Sequence, residues 1–268
     1  MPNSDGIDLD ACRDVTVSDC HIRCGDDAIC IKSTGQQGLL RQSSGIAVAN
    51  CVLATPGNCF KIGTETFSDV ENISVHQGVM SGIRDGGKWH DALAGVAFES
   101  VDGGNVRGVI AGQLVMDHVA APVFVRRGRR HAPGNIAGRV TDISVAHVRA
   151  RNASIPSSIT GIPGFPVEDV SLSDNRIEVA GGDPAPAGNA AVPEHEARIP
   201  SASCSVGCRP TGSTAGTWMG WRCGTSSSSH CNRTPVHRCG WTTCGRHPSP
   251  AERPSPVEPW RASARRHV

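Results

Sequence analysis

Short segments of alternating apolar and polar residues recur through the first two thirds of the chain. Each copy has the order apolar, variable, apolar, variable, polar, two variable residues, apolar. The copies begin at Val15, Ile46, Ile73, Ile143 and Val170, with a looser copy at Val109. Their starts lie between 27 residues (Ile46 to Ile73) and 36 residues (Ile73 to Val109) apart. Alternation with a period of two predicts strands, and this spacing is typical of a repeat architecture.

The segments between the copies carry no apolar stripe of helical period that is long enough for a crossover helix. The sequence therefore predicts an all-β protein, a right-handed parallel β-helix, over residues 1–199. In such a solenoid, equivalent residues of successive coils stack about 4.8 Å apart, and inward Val, Ile and Leu form one continuous core.

The polar position of the repeat predicts a column of stacked polar side chains that satisfy the backbone of a turn. Its members are Asp19, Asn50, Gln77, Gln113, His147 and Asp174. Cys20 and Cys51 share the next column. We interpret them as small apolar fillers, and a disulfide between them is the less favoured alternative.

The charge of the chain is nearly balanced, with 26 Lys and Arg against 25 Asp and Glu. This balance gives no support for a nucleic-acid partner. The sequence has no apolar run near the roughly 18 residues needed to span a bilayer, so no membrane association is expected. The first residues carry neither the basic nor the apolar region of a signal peptide.

Two acidic motifs lie beside glycines, Asn3-Ser4-Asp5-Gly6 and Gly25-Asp26-Asp27. Asp5 and Asp26 are 21 residues apart, about one coil, so the fold would bring Asp5, Asp26 and Asp27 onto one surface. Glycoside hydrolysis needs such a set, because one carboxyl must stay protonated for the leaving oxygen while others activate water. From the spacing alone, a calcium-binding or solvated turn remains an alternative.

The sequence from Asn3 to about Ala197 resembles glycoside hydrolase family 28, the polygalacturonases and rhamnogalacturonases of the pectin-lyase-like superfamily. The resemblance rests on the two acidic motifs and on two further segments. These are Gly57 to Glu65, which is similar to the family's Gly-His-Gly segment, and Val123 to Gly128, which resembles a late coil of bacterial members. It implies hydrolysis of a pectic polysaccharide partner, without metal or organic cofactor, by a monomeric parent protein that is secreted or periplasmic.

The resemblance also implies a division of roles. Asp26 matches the family's proton donor, Asp5 and Asp27 would hold the attacking water, and Asn3 would bind substrate. This is a single displacement with inversion, for which the acid and base carboxyls are expected about 6.5–9.5 Å apart.

The sequence departs from the family at several substrate-binding positions. The family's His falls on Asn58, and its Arg-Ile-Lys falls on Ala97-Phe98-Glu99. Paired cations suit a uronate carboxylate, whereas Glu99 would repel it or join the site in another way. Lys61 and Arg126 could replace the missing positive charge or be solvated cations. These departures favour a branched or mixed glycan such as rhamnogalacturonan, or another uronate-containing glycan, over plain homogalacturonan.

Two alternatives stay open at this point. The chain could be a carbohydrate-binding β-helix fragment that has lost its activity through truncation. Trp89 and His90, in the insertion before Gly95, could form a sugar-stacking wall or could anchor a loop.

Both ends of the chain depart from the family pattern. Family members carry several coils before the first acidic motif, so we expect that N-terminal coils are missing here. Residues 201–268 contain no Leu, Ile or Phe but hold six of the twelve Cys and four of the five Trp. A one-base shift of reading frame turns Trp218-Met219-Gly220 into Asp-Gly, so residues 200–268 are predicted to be a disordered, out-of-frame tail. Zinc binding there is not favoured, because the Cys and His spacing repeats no paired-ligand pattern.

Overall fold

A computed structural model describes residues 3–35, 41–132, 134 and 136–179, together with the backbone of residues 214–215 and 218–223. These residues form a right-handed parallel β-helix, as the alternating pattern predicts. Because successive strands run parallel, each coil returns to the same sheet one strand further along the axis.

The described residues form nineteen strands. In chain order they are β1 (Ile7–Asp10), β2 (Arg13–Ser18), β3 (His21–Arg23), β4 (Ile29–Ser33), β5 (Ser43–Ala49), β6 (Val52–Ala54), β7 (Asn58–Thr66), β8 (Val70–Ser81), β9 (Ile83–Asp85), β10 (Lys88–His90), β11 (Ala92–Ser100), β12 (Val106–Asp117), β13 (Val119–Arg127), β14 (Val140–Ala153), β15 (Ser158–Thr160), β16 (Val167–Ser173), β17 (Arg176–Val179), β18 (Thr214–Ala215) and β19 (Trp218–Cys223).

Two sheets run along the solenoid axis. The first sheet has the order β1-β4-β7-β11-β13-β15-β18, and the second has the order β2-β5-β8-β12-β14-β16-β19. Strands β3, β6 and β17 extend the second sheet, while β9 and β10 form a separate antiparallel hairpin. Each coil therefore supplies one strand to the first sheet before it turns into the second.

The pairing register of the second sheet confirms the predicted repeat. Val15 pairs with Ile46, Ile46 with Ile73, and Ile73 with Val109. The series continues through Ile143 and Val170. The looser copy at Val109 is thus in register with the others, because stacking of the buried apolar positions decides the register.

The predicted polar column lies at a corner of the coil. Its six residues have positive φ, from 52° at Asp174 to 57° at Asp19. Asn and Asp adopt this left-handed conformation more readily than most residues, which explains their place there. The corner amide of Asp19 donates to the backbone carbonyl of Ala49 at 3.2 Å. The next coil's backbone therefore satisfies this amide, and the side chains stack beside it, as Asn50 does on Asp19.

The inward side chains form one core, and Phe60, Phe98, Leu114 and Met116 are among its largest fully buried members. Cys20 and Cys51 are both free thiols that pack against this core. Each Sγ donates to the carbonyl two residues earlier. The filler interpretation is therefore confirmed, and the disulfide alternative is not.

Most of the predicted tail lies outside the described residues, and the frameshift hypothesis stays a prediction. The described exceptions are β18, which pairs with β15, and β19, which pairs with β16. These two segments are extended strands, where the tail prediction expected no regular structure. Within the part of the chain that the structure describes, no helix is long and apolar enough to cross a membrane.

Neighbouring residues of β12 allow a direct test of the core. Leu114 is fully buried, whereas the side chain of Val115 points outward and is 49% exposed. We expect Leu114→Ala to lower the free energy of unfolding by about 2–5 kcal/mol, because it removes core contacts and leaves a cavity. Val115→Ala is the control and should change it by less than about 0.5 kcal/mol. Urea unfolding measures both, and equal losses would contradict the inward and outward assignment.

Candidate active site

Three carboxylates meet where the first two strands of the first sheet begin. Asp5 lies two residues before β1, and Asp26 and Asp27 lie just before β4. One oxygen atom from each lies within 4.8 Å of the others. The predicted convergence of Asp5, Asp26 and Asp27 is therefore present in the fold.

Backbone hydrogen bonds between the two coils hold this trio together. Gly25 and Asp26 both donate their amides to the carbonyl of Ser4. Gly6 donates to the carbonyl of Asp27, and the amide of Asp27 donates to Oδ1 of Asp5 at 3.2 Å. Each acidic motif is thus fixed by the other.

Glycine is required beside the acids because the coils approach closely there. A Cβ on Gly6 would lie 2.4 Å from the carbonyl oxygen of Ala28, and one on Gly57 would lie 2.5 Å from the carbonyl carbon of Asp26. Both contacts are with backbone, which cannot move aside without breaking the coil.

Protein donors surround the Asp27 carboxylate, which is 5% exposed. Its Oδ1 accepts from the amide of Asn58 at 2.9 Å and from Nδ2 of Asn58 at 2.6 Å. Its Oδ2 is 2.9 Å from Nζ of Lys61. The Asp27 side chain is therefore held in one orientation by charge-assisted bonds.

A second lysine compensates Asp5. The Nζ of Lys32 is 3.1 Å from Oδ2 of Asp5 and 2.8 Å from Oδ2 of Asp8. Neither Lys32 nor Asp8 was predicted as a site residue from the sequence. Strand alternation was the signal that could have found them, since both side chains project outward at the edge of the trio.

Asp26 lies beside the charges of Asp5 and Asp27, the two members of the trio that bind lysines. Burial raises the pKa of Asp26 above its ordinary value, and the charges of Asp27 and Asp5 raise it further, against the charge of Lys61 and a hydrogen bond from Asn3. Its backbone is fixed, because its carbonyl accepts from the hydroxyl of Thr55 and from Sγ of Cys24. The trio thus sets a carboxyl with a raised pKa beside two lysine-bound carboxylates, a difference of the kind that acid–base catalysis uses.

Glu99 lies under this surface and is 1% exposed. Burial raises the pKa of Glu99 to about 8, although the charge of Lys61 opposes the shift. Its Oε2 has no hydrogen-bond partner. Gly63 leaves room for it, since a Cβ there would lie 3.1 Å from Cβ of Glu99.

Arg126 pairs with Glu99 in the register between β11 and β13, and it is 7% exposed. One of its nitrogens, Nη1, donates to Oγ1 of Thr160 at 3.2 Å and to the carbonyl of Gly161 at 3.3 Å. The guanidinium thus binds the following coil.

The carboxylates of the trio would also suit a hard cation by their oxygen chemistry. Lys32 and Lys61 already place ammonium groups on Asp5 and Asp27. We therefore assign no metal to this site.

Comparison with known proteins now identifies the family. The sequence model described as glycosyl hydrolases family 28 matches residues 1–197. The chain belongs to this family. Both acidic motifs and the Asn58 segment fall within the matched range.

Two curated plant proteins are similar to this family-28 chain. A protein described as a probable polygalacturonase of Arabidopsis thaliana is 24% identical over 194 residues, which cover 68% of this chain and 40% of that protein. A polygalacturonase of Brassica napus is 25% identical over 198 residues, which cover 69% of this chain and 46% of that protein. The chain thus spans less than half the length of these relatives.

A solved structure supports the fold. The chain matches a hyperthermoactive exopolygalacturonase from Thermotoga maritima with a TM-score of 0.53 and 19% identity. The match covers 67% of this chain and 44% of that one.

The structure changes the interpretation of the positions at which this chain departs from family 28. Lys61 was expected to offer positive charge to substrate or to be solvated, and it instead binds Asp27 with 14% of its side chain exposed. Glu99 and Arg126 are buried rather than displayed at the surface. Asn58 binds Asp27 through its amide, and Asn3 binds Asp26.

The buried ion pair makes a stability prediction. Lys61→Met should lower the free energy of unfolding at neutral pH by about 3–5 kcal/mol, because Asp27 is left as an uncompensated buried charge. The double variant Lys61→Met, Asp27→Asn should regain most of that loss. Urea unfolding of both variants and of Asp27→Asn alone completes the cycle. Additive losses would contradict the pairing.

Glu99 predicts a pH dependence of stability. A carboxyl whose pKa is raised by folding binds its proton more tightly in the folded state, so its contribution is present at low pH and is lost as pH rises through the folded pKa. We expect the wild type to lose stability relative to Glu99→Gln between pH 4.5 and about 8. Thermal unfolding across this range measures the difference. A constant difference would show that Glu99 stays ionised throughout.

Proposed function

We propose that this chain hydrolyses O-glycosidic bonds of a pectic, uronate-containing polysaccharide, in the manner of a polygalacturonase. The observation that carries the proposal is the trio itself, in which Asp26, a carboxyl with a raised pKa, lies beside two lysine-bound carboxylates. Family membership and the names of the two plant relatives support the substrate class.

In the proposed reaction, Asp26 gives its proton to the glycosidic oxygen as the bond to the anomeric carbon breaks. Asp5 and Asp27 accept hydrogen bonds from a water molecule, and one of them takes its proton as the water attacks the opposite side of that carbon. Asp26 ends ionised and the base ends protonated, so proton exchange with solvent restores the site. One displacement of this kind inverts the anomeric configuration.

The distance between the acids does not by itself support inversion. The closest oxygens of the trio lie within 4.8 Å, which is shorter than the expected separation of about 6.5–9.5 Å for an inverting pair. The proposal of inversion therefore rests on family resemblance and on the two carboxylates available to hold water.

The presence of Asn58 in place of the family's His affects the expected turnover rate. Its amide supplies a hydrogen bond that orients Asp27. Unlike the imidazole of the family's His, however, this amide cannot act as an acid or a base that transfers a proton. We expect turnover to be slower than in relatives that carry the His.

The positions of the charged side chains affect which class of glycan we propose as the substrate. Lys61 is engaged with Asp27, Arg126 is buried, and Ala97 and Glu99 replace the family's cations. The proposed substrate is accordingly a branched or mixed pectic glycan, such as rhamnogalacturonan, rather than plain homogalacturonan. A parent protein that is secreted or periplasmic and monomeric fits this proposal.

A carbohydrate-binding fragment without activity is the second candidate, favoured by the short span of the chain relative to its relatives. Release of reducing ends from a panel of pectic polymers, measured beside binding, separates the two. Binding without release would support this second candidate.

Removal of the proposed proton donor tests the mechanism. Asp26→Asn should lower turnover at least about 100-fold, because general acid catalysis is lost, and should leave glycan binding nearly unchanged. Reducing-end release and calorimetric binding measure the two effects. Asp14→Asn is the matched control, because Asp14 is exposed and its left-handed backbone suits Asn.

Full activity of Asp26→Asn would refute the assignment. Retained anomeric configuration in the first-formed product, observed by NMR, would instead leave Asp26 as the acid and refute single displacement.

A further inference from the structure

A hairpin interrupts the solenoid just before β11. Strands β9 and β10 pair antiparallel through Gly86 and Gly87, both of which have positive φ. All three residues of β10 are exposed, so the hairpin adds little to the core. Gly82 permits its return, since a Cβ there would lie 2.3 Å from the carbonyl oxygen of His90.

The hairpin lies on the edge of the first sheet that carries the carboxylate trio. Nη2 of Arg23, three residues before Asp26, donates to the carbonyl of Arg84 in the hairpin at 3.2 Å. Gly57 packs on the backbone of Asp26, and Leu93 donates its amide to the carbonyl of Gly57 at 2.8 Å. The hairpin's coil is thus two coils beyond Asp26, about 10 Å along the axis.

A stacked imidazole ring supports the side chain of Trp89 on this hairpin. Its ring stacks on His118 with centroids 4.1 Å apart and planes 11° from parallel. Nδ1 of His118 is 3.2 Å from Oδ1 of Asp91, which fixes the imidazole. Trp89 nevertheless keeps 37% of its surface exposed. A Trp that only anchored a loop would bury its ring, whereas this one is held rigid and presented to solvent.

We propose that Trp89, supported by His118 and Asp91, is a carbohydrate-binding platform for a pyranose ring that lies away from the cleaved bond. The C–H groups on one face of a pyranose are apolar and pack on an indole, and the indole N–H can donate to a hydroxyl. A Trp that is already fixed loses little conformational freedom on binding. The platform extends the proposed function and rests on it for the class of ligand.

The position predicts a dependence on ligand length. A short oligosaccharide centred on the trio does not reach a platform two coils away, whereas a longer one crosses it. Lys61 and Arg126 are engaged within the protein, so an aromatic contact is a means of holding a glycan that does not depend on them.

Isothermal titration calorimetry of the full chain tests the platform with homogalacturonan and rhamnogalacturonan oligomers from disaccharide to octasaccharide. We expect Trp89→Ala to raise the Kd of the longest bound oligomer about three- to tenfold and to leave the Kd of the shortest unchanged. Trp89→Phe should recover part of the affinity. Ile110→Ala is the control, because Ile110 is an apolar residue, 60% exposed, on the second sheet.

An unchanged Kd for long oligomers in Trp89→Ala would overturn the platform. Equal losses for short and long oligomers, with a lowered thermal midpoint, would show a structural role and would also overturn it. A wild type that binds oligomers without cleaving them would refute the proposed hydrolysis while the comparison of Kd values still tests Trp89. A wild type that binds none of them would overturn both.

Discussion

Backbone pairing between successive coils is the constraint on which the rest of this structure depends. Each strand of the two sheets pairs with the equivalent strand of the next coil, residue by residue. The buried apolar positions and the corners therefore recur in register. At the polar corner, the equivalent residue of each coil has a left-handed backbone, in the series that begins at Asp19 and ends at Asp174. Extra residues are therefore accommodated in the turns, as in the hairpin of β9 and β10.

The same pairing creates the candidate site. Asp5 and Asp27 come from different coils, and each contributes to the backbone bonds that hold the other. Concentrating three carboxylates at one point is costly unless cations or donors compensate them. Lys32, Lys61 and Asn58 do so for Asp5 and Asp27, while the charges of those two carboxylates raise the pKa of Asp26.

This compensation has a consequence for recognition. Lysines that bind Asp5 and Asp27 are not available to bind a uronate, and Glu99 brings a further buried carboxyl beside Lys61. Under the proposed function, Lys32 and Lys61 thus support the acids rather than recognise the substrate. We then expect contacts of other kinds, such as an aromatic face or hydrogen bonds to hydroxyl groups, to contribute more to binding.

Much of the fold and the core of the site could be predicted from the sequence. The alternation from Val15 to Val170 predicts the register, since a period of two repeated at coil spacing has few other solutions. The spacing of Asp5 and Asp26 predicts their meeting for the same reason. The left-handed backbone of the corners was not predicted. The polar residues there indicated a column of stacked side chains, and they did not indicate the backbone conformation.

Tertiary structure alone decided the partners of the long side chains. Lys61 lies 34 residues after Asp27, and its ammonium reaches that carboxylate because β7 pairs with β4. The burial of Glu99 and the stacking of Trp89 on His118 likewise depend on what adjoining coils place around them. A sequence pattern states which face a side chain occupies, but desolvation and charge depend on neighbours that are distant along the chain. The sequence by itself thus determined the coil and the meeting of the acids, and the packed structure decided which groups neutralise them.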